Sequence, residues 1–201
     1  MKTGNFSLSN TLILGIQGGI GSFNEEAARN FLKKSEIKNF KIKYLYTSEN
    51  VLKALNEKKI NRGQFAIYNS IGGIVDETIE AMGKYNFKVV EKFAIKISHA
   101  LMIRKDVSLN EIKTIMTHPQ VLKQCQKNLK RKYSRLKQIS GRGKMIDQSV
   151  IASLLSKGKL SKNIAVMGSK VLAEIYDLKI IEDNLQDLSE NWTYFLQVER
   201  I

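Results

Sequence analysis

The first 84 residues alternate between two hydrophobic periods, and that alternation constrains the fold more than any other feature. TLILGI (11–16), FKIKYLYT (40–47) and GQFAIYN (63–69) are short and β-prone. Between and after them, SFNEEAARNFLKK (22–34), SENVLKALNEKK (48–59) and GGIVDETIEAMGK (72–84) read as helices. Ala27, Ala28 and Phe31 or Leu32 recur at helical spacing in the first. The second opens on a serine cap and puts Val51, Leu52 and Leu55 on one face. A β-α-β-α-β-α order predicts a largely parallel sheet with helices on its faces. With 201 residues, 43% of them apolar, the chain can bury such a core as one domain or as two small lobes.

FKVVEKFAIKISHALMIRK (87–105) is long, β-prone and free of turn signals, so it reads as a strand leaving a first lobe for a second. The α/β pattern then repeats: IKTIMTH strand, PQVLKQCQKNLKRK helix, RLKQIS strand, MIDQSVIASLLSKG helix, NIAVMG strand, SKVLAEIYD helix. NWTYFLQVE (191–199) is expected to return to the first lobe. The expected fold is therefore α/β and two-lobed, with residues 1–95 plus 182–201 in one lobe, 96–181 in the other, and a cleft between them.

Cys125 is the one cysteine, which excludes an internal disulfide framework and fits a reducing, cytoplasmic setting. The early apolar run TLILGI is too brief for a signal peptide, and no stretch reaches bilayer length, so no membrane is expected. The net charge of +14 concentrates in KQCQKNLKRKYSRLK (123–137). That run reads as a solvated helix end with few interleaved aromatics, so no nucleic acid is expected. The charge would instead draw small anions into a cleft.

Ligands of open α/β sheets gather where strands end and helices begin. GIQGGIGSFN (15–24) ends a strand in glycines that admit a ligand to the backbone and then starts a helix; it matches neither a dinucleotide fingerprint nor a P-loop. IYNSIGGIV (67–75) ends another with Asn69 and Ser70, which also suit a cap and turn. MTHPQVLKQC (116–125) holds the one proline, Pro119, at a first helical position where a missing N–H costs nothing, with Thr117 and His118 at the strand end. SGRGKMIDQS (140–149) offers Ser140, Gly141, Arg142 and Lys144 to a carboxylate or phosphate. Thr193 lies inside an apolar strand, where backbone usually satisfies a threonine.

Six segments in order, GSFNEEAA, YNSIGGIVDETI, ISHALMI, THPQVLKQC, IAVMGSKVLAEIYDL and DNLQDLSENWTYFLQV, resemble the prephenate dehydratase domain from about residue 11 to residue 199. The family's Gly-Thr-Phe-Ser falls on Gly21, Ser22, Phe23 and Asn24. Its Glu-Asn-Ser-x-x-Gly falls on Tyr68, Asn69, Ser70 and Gly73, and its Ser-His-Pro-Gln on Thr117, His118, Pro119 and Gln120. Its Thr-Arg-Phe falls on Thr193, Tyr194 and Phe195. The glutamate and the arginine are thus replaced by tyrosines.

The resemblance implies lobes like those of type 2 periplasmic binding proteins and conversion of prephenate to phenylpyruvate in phenylalanine biosynthesis. It also implies a homodimer that needs no cofactor and no metal. It makes Thr193 the catalytic hydroxyl, with Ser22, Asn69, Ser70, Gly73, Thr117, His118, Gln120, Ser140, Gly141 and Phe195 around the substrate. The family usually carries a C-terminal ACT domain; the chain ends at Ile201, two residues past the last matched strand, so none is expected. The cradle is expected to use main-chain nitrogens and alcohols rather than ionisable acids, and without the arginine at Tyr194 a substrate carboxylate is expected to lean on Ser22, Asn69, Ser70, Arg142 or Lys144. The two departures leave a non-aromatising prephenate decarboxylase and a non-catalytic anion-binding protein as alternatives, with a basic nucleic-acid binder more distant.

Overall fold

The computed structural model of the chain describes residues 11–201. The first ten residues of the expected first lobe, and the start of the stretch searched for a signal peptide, lie outside them. Strands β1 (Leu12–Ile16), β2 (Phe40–Tyr44) and β3 (Arg62–Asn69) alternate with helices α1 (Phe23–Lys34) and α2 (Ser48–Asn56). A short β4 (Gly73–Ile74), α3 (Asp76–Met82) and β5 (Lys88–Lys96) complete this half. Next come β6 (Ala100–Arg104), β7 (Thr114–Met116), α4 (Pro119–Gln124), α5 (Gln126–Lys132) and β8 (Lys137–Ile139). They are followed by α6 (Gln148–Ser156), β9 (Ile164–Gly168), α7 (Val171–Ile175) and β10 (Leu178–Glu182), and β11 (Trp192–Glu199) ends the order.

Among the described residues these strands form two sheets. One is ordered β2-β1-β3-β11-β5 with β4 beside β3, and the other β10-β6-β9-β7-β8. The architecture is two α/β halves, each built on its own sheet. In the first sheet β1 pairs in parallel with β2 and β3, while β11 runs antiparallel between β3 and β5. The expected largely parallel sheet is therefore mixed. The reason is the return crossing, which brings β11 back from the opposite end.

Sequence patterning accounts for most of the packing. Leu12, Leu14 and Ile16 of β1 meet Ala28 and Leu32 of α1, while Val51, Leu52 and Leu55 of α2 close over Phe65 and Leu196. Each such side chain contributes roughly 1.5–3 kcal/mol when fully buried. Thr47, not Ser48, caps α2, accepting from Asn50 N at 3.2 Å; Ser48 is buried and its hydroxyl lies 2.6 Å from that of Thr78. Two further boundaries differ from expectation. The segment 87–105 breaks at 97–99, so β5 stays in the first sheet and β6 joins the second. The basic helix breaks at Cys125 into α4 and α5. Pro119 does occupy the first turn of α4, behind His118 as its cap.

Candidate active site

Ends of strands and starts of helices from both halves surround a cavity of about 90 Å³. That is room for several waters at roughly 10–15 Å³ each. Gln17 and Ser22 come from the β1–α1 turn, Asn69 from the end of β3, and His118 and Gln120 from the start of α4. Asp147 comes from the cap of α6, and Thr193 and Phe195 from β11. The glycine turn is tight for a reason. Gly18 has φ +91°, and a Cβ there would stand 2.7 Å from Ser22 Oγ and 3.1 Å from Asp147 Oδ2. Ser22 caps α1 by accepting from Glu25 N at 3.2 Å, which leaves its own hydrogen to donate.

Asn69, 1% exposed, is a hub. Its Oδ1 accepts from the main-chain N–H of Ile71 (2.9 Å) and Gly72 (2.7 Å), which settles which end of the amide is oxygen. Its Nδ2 therefore donates, its two hydrogens shared among Asn191 Oδ1 at 2.6 Å, Thr193 Oγ1 at 2.9 Å and Trp192 O at 3.1 Å. The accepting side of the Thr193 hydroxyl is thus engaged, and what it offers the cavity is its hydrogen. The same polarity propagates onward. Asn191 Nδ2 donates to Gln124 Oε1 at 2.9 Å, so that oxygen must also accept from His99 Nε2 at 2.7 Å. His99 Nδ1 is left bare. This chain is buried and joins both crossings between the halves, at 97–99 and 183–191.

A second chain runs along the other wall. Ala66 N donates to Gln17 Oε1 at 2.9 Å, and Gln17 Nε2 donates to Glu77 Oε1 at 2.7 Å. His118 Nδ1 accepts from Gln120 N at 3.1 Å, so its Nε2 is the nitrogen turned to Glu77, 3.6 Å away. Burial pushes the Glu77 carboxyl up, but the hydrogen bond and charge of His118, with the bond from Gln17, outweigh it and hold it below its ordinary value. Asp147 behaves oppositely: burial raises it despite hydrogen bonds from Ser149, Val150 and the Gly19 N–H. Burial also pushes His99 down to about 4, against a weaker opposing effect of Gln124. Among the described residues, the buried side-chain polar atoms without a partner are Asn24 Oδ1, His99 Nδ1 and Gln120 Oε1, and all three belong to residues of this cavity.

Of the residues expected around the substrate, Ser22, Asn69, His118, Gln120, Thr193 and Phe195 line the cavity. Five do not. Thr117 is fully buried and spends its hydroxyl on Met167 O at 2.8 Å. Ser70 is exposed and ties Glu190 O (3.2 Å) to Trp192 N (2.9 Å) at the return crossing. Gly73, at φ +74°, serves the β3–β4 turn, a conformation that favours glycine. Ser140 and Gly141 sit short of the cavity, which is reached from that loop by Ile146, Asp147 and Gln148. Lys144 lies over the Tyr46 ring, 5.5 Å from its centre, and Arg142 is absent from the lining.

Ionisable acids do stand beside the expected cradle of main-chain nitrogens and alcohols: Asp147 lines the wall, and Glu77, off the lining, accepts from Gln17 and lies 3.6 Å from His118 Nε2. Asp147, Glu77, His99 and Gln124 were missed; the signal for Asp147 was a carboxylate at a helix cap facing the glycine turn. The two tyrosines that depart from the family pattern are cross-strand partners, with ring centres 5.8 Å apart. They stand off the cavity.

The sequence profile described as prephenate dehydratase matches residues 14–201. The prephenate dehydratase of Methanocaldococcus jannaschii is 28% identical over 179 residues, covering 89% of this chain and 61% of that protein. Arogenate dehydratase 2 of Petunia hybrida is 24% identical, covering 92% of this chain and 44% of that protein. The chain thus spans less than two thirds of the length of either relative. The crystal structure of prephenate dehydratase from Arthrobacter aurescens with L-Phe superposes with a TM-score of 0.78 at 19% identity, over 94% of this chain and 61% of that one. With its profile matched across both halves and its cavity built at the strand ends they share, the chain belongs to the prephenate dehydratase family.

Proposed function

We propose that the chain catalyses the decarboxylative dehydration of prephenate to phenylpyruvate, in the cytoplasm and as a homodimer. Its lobes are proposed as residues 1–95 with 182–201 and residues 96–181. The observation that carries the reading is the Thr193 hydroxyl, held as an acceptor by Asn69 so that its hydrogen is free at the cavity. In the reaction the ring C–O bond breaks with its electron pair going to oxygen. The pair of the C–CO₂ bond becomes the last ring π bond, CO₂ departs, and the oxygen takes one proton, supplied by solvent water, to leave as water. Thr193 donates its hydrogen bond to that oxygen as charge builds on it. Main-chain N–H groups at the start of α1 and the Ser22 hydroxyl receive a carboxylate.

Aromatisation makes the step strongly downhill, so the protein's task is alignment rather than force. Purified protein given prephenate is expected to produce phenylpyruvate, read by its absorbance. Thr193→Val is expected to slow turnover about a hundred- to a thousandfold, as the loss of one such donor typically does. Unchanged turnover in that variant would remove the assignment of Thr193. A non-aromatic keto acid as product would replace dehydratase by decarboxylase. Sedimentation velocity tests the dimer.

One observation favours a second reading, arogenate as substrate. Prephenate as a dianion has one hydrogen-bond donor, its ring hydroxyl, whereas the cavity's residues hold three unmatched acceptors. The ammonium group of arogenate adds three donors. Parallel assays with the two substrates decide between them by kcat/KM.

A further inference from the structure

We propose that His99 is a further substrate-binding residue, whose bare Nδ1 accepts the hydrogen of the substrate's ring hydroxyl. The inference rests on the dehydratase reading and deepens it. Three observations carry it. His99 is 1% exposed, lines the cavity, and has an Nδ1 with no partner. Its tautomer is imposed from a distance: the main-chain N–H groups of Ile71 and Gly72 orient Asn69, which orients Asn191, which orients Gln124, which demands a hydrogen from His99 Nε2. The residue is also held in place, with the Phe23 ring set edge-on to its ring at 5.3 Å between centroids and its main-chain N–H donating to Gln186 Oε1 at 3.1 Å. A rigid, buried acceptor with no internal donor is a demand placed on the ligand.

The two companion acceptors are fixed in the same manner. Gln120 Nε2 donates to Ile74 O, which commits its Oε1 to accepting. Asn24 Nδ2 faces Gln17 Oε1 at 3.4 Å, and that oxygen is already committed by Ala66 N. None of the three can turn to present a donor without meeting another acceptor. They therefore do not suit the substrate's carboxylates, which must lie elsewhere; they suit O–H or N–H groups. Pinning the hydroxyl's own hydrogen on His99 turns the oxygen's lone pairs away from the ring nitrogen. One lone pair is then available to the Thr193 hydrogen bond, so the acceptor and the donor select one orientation of the departing group.

The test uses two stable ligands of one shape, 4-hydroxyphenylpyruvate and phenylpyruvate, which differ by the ring hydroxyl. Wild type is expected to bind the hydroxylated ligand roughly tenfold or more tightly, since the other leaves Nδ1 unmatched. Protein labelled with ¹⁵N at histidine is expected to show the His99 Nδ1 resonance move with 4-hydroxyphenylpyruvate and stay with phenylpyruvate. His99→Gln supplies an N–H to Gln124 without the Nδ1 acceptor, and should bring the affinity ratio to about one. Equal affinities in wild type, an unmoved resonance, or a ratio that survives in His99→Gln overturns the proposal. Turnover of prephenate by wild type separates the two readings: with turnover but no hydroxyl preference, His99 falls and the dehydratase stands. Without turnover or binding of either ligand, both fall.

Discussion

Replacing Asn69 by Asp changes one atom and reverses the polarity of the whole buried chain. The carboxylate keeps the bonds from Ile71 N and Gly72 N, because those need only an oxygen. The other oxygen then faces three acceptors at 2.6, 2.9 and 3.1 Å: Asn191 Oδ1, Thr193 Oγ1 and Trp192 O. Thr193 can turn to donate, but its hydrogen then points at residue 69 instead of the cavity. Asn191 can turn only if Gln124 also turns and His99 moves its proton to Nδ1. Trp192 O, a main-chain carbonyl, cannot turn, but it keeps the bond from Ser70 N at 2.9 Å. The uncompensated buried charge costs about 3–5 kcal/mol, part of which the two retained N–H bonds offset. The expected loss is about 4 kcal/mol, a large share of the roughly 5–15 kcal/mol that holds a domain together. Urea unfolding at neutral pH measures it, with Asn69→Ser as a control that introduces no charge. In folded Asn69→Asp protein, turnover should fall about a hundredfold or more. Acidification should restore part of the stability, since a protonated carboxyl can donate again. Stability within 1 kcal/mol of wild type, together with unimpaired turnover, would refute the reasoning.

Two further outcomes follow from the same geometry. His99 is held near pKa 4 in the folded chain against 6.5 for the free group, so the unfolded chain takes up the proton first as pH falls. Its contribution is complete above pH 6.5, declines between 6.5 and 4, and is gone below, for about 3 kcal/mol in all. The difference in urea stability between wild type and His99→Gln, followed across that window, isolates it from the carboxylates, and a difference independent of pH would contradict it. The Tyr68–Tyr194 contact should appear in a double-mutant cycle with Glu at 68 and Arg at 194. Each single change should destabilise, the pair should recover about 0.5–1.5 kcal/mol, and turnover should not change in any of the three variants. A loss of turnover in Tyr194→Arg would place that position in the site.

Local pattern carried the elements because it encodes which face of a strand or helix is apolar, and β1, α1, α2 and β3 follow that pattern closely. It could not carry the partners of polar residues. Asn69, Gln124 and Asn191 lie far apart in the chain and touch only because two crossings meet beside the cavity. Nothing near any one of them marks it as a link. The strand-end rule found Asn69, His118, Gln120 and Ser22. It stopped short in the loop at 140–149, where a turn of 3₁₀ helix at Gly143–Ile146 carries the chain on before Asp147 arrives at the wall.

The arginine missing at position 194 suggests a lost carboxylate clamp, yet the strand pattern of the sequence argues against that. Side chains alternate along a strand, so if Thr193 and Phe195 face the cavity, residue 194 faces away from it. The structure has Thr193 and Phe195 in the lining and Tyr194 outside it, against Tyr68 and beneath Lys92, whose Nζ lies 5.6 Å from the Tyr194 ring centre. The family's glutamate and arginine fall on these same two cross-strand positions. Their joint replacement by tyrosines therefore exchanges one cross-strand pair for another off the cavity lining.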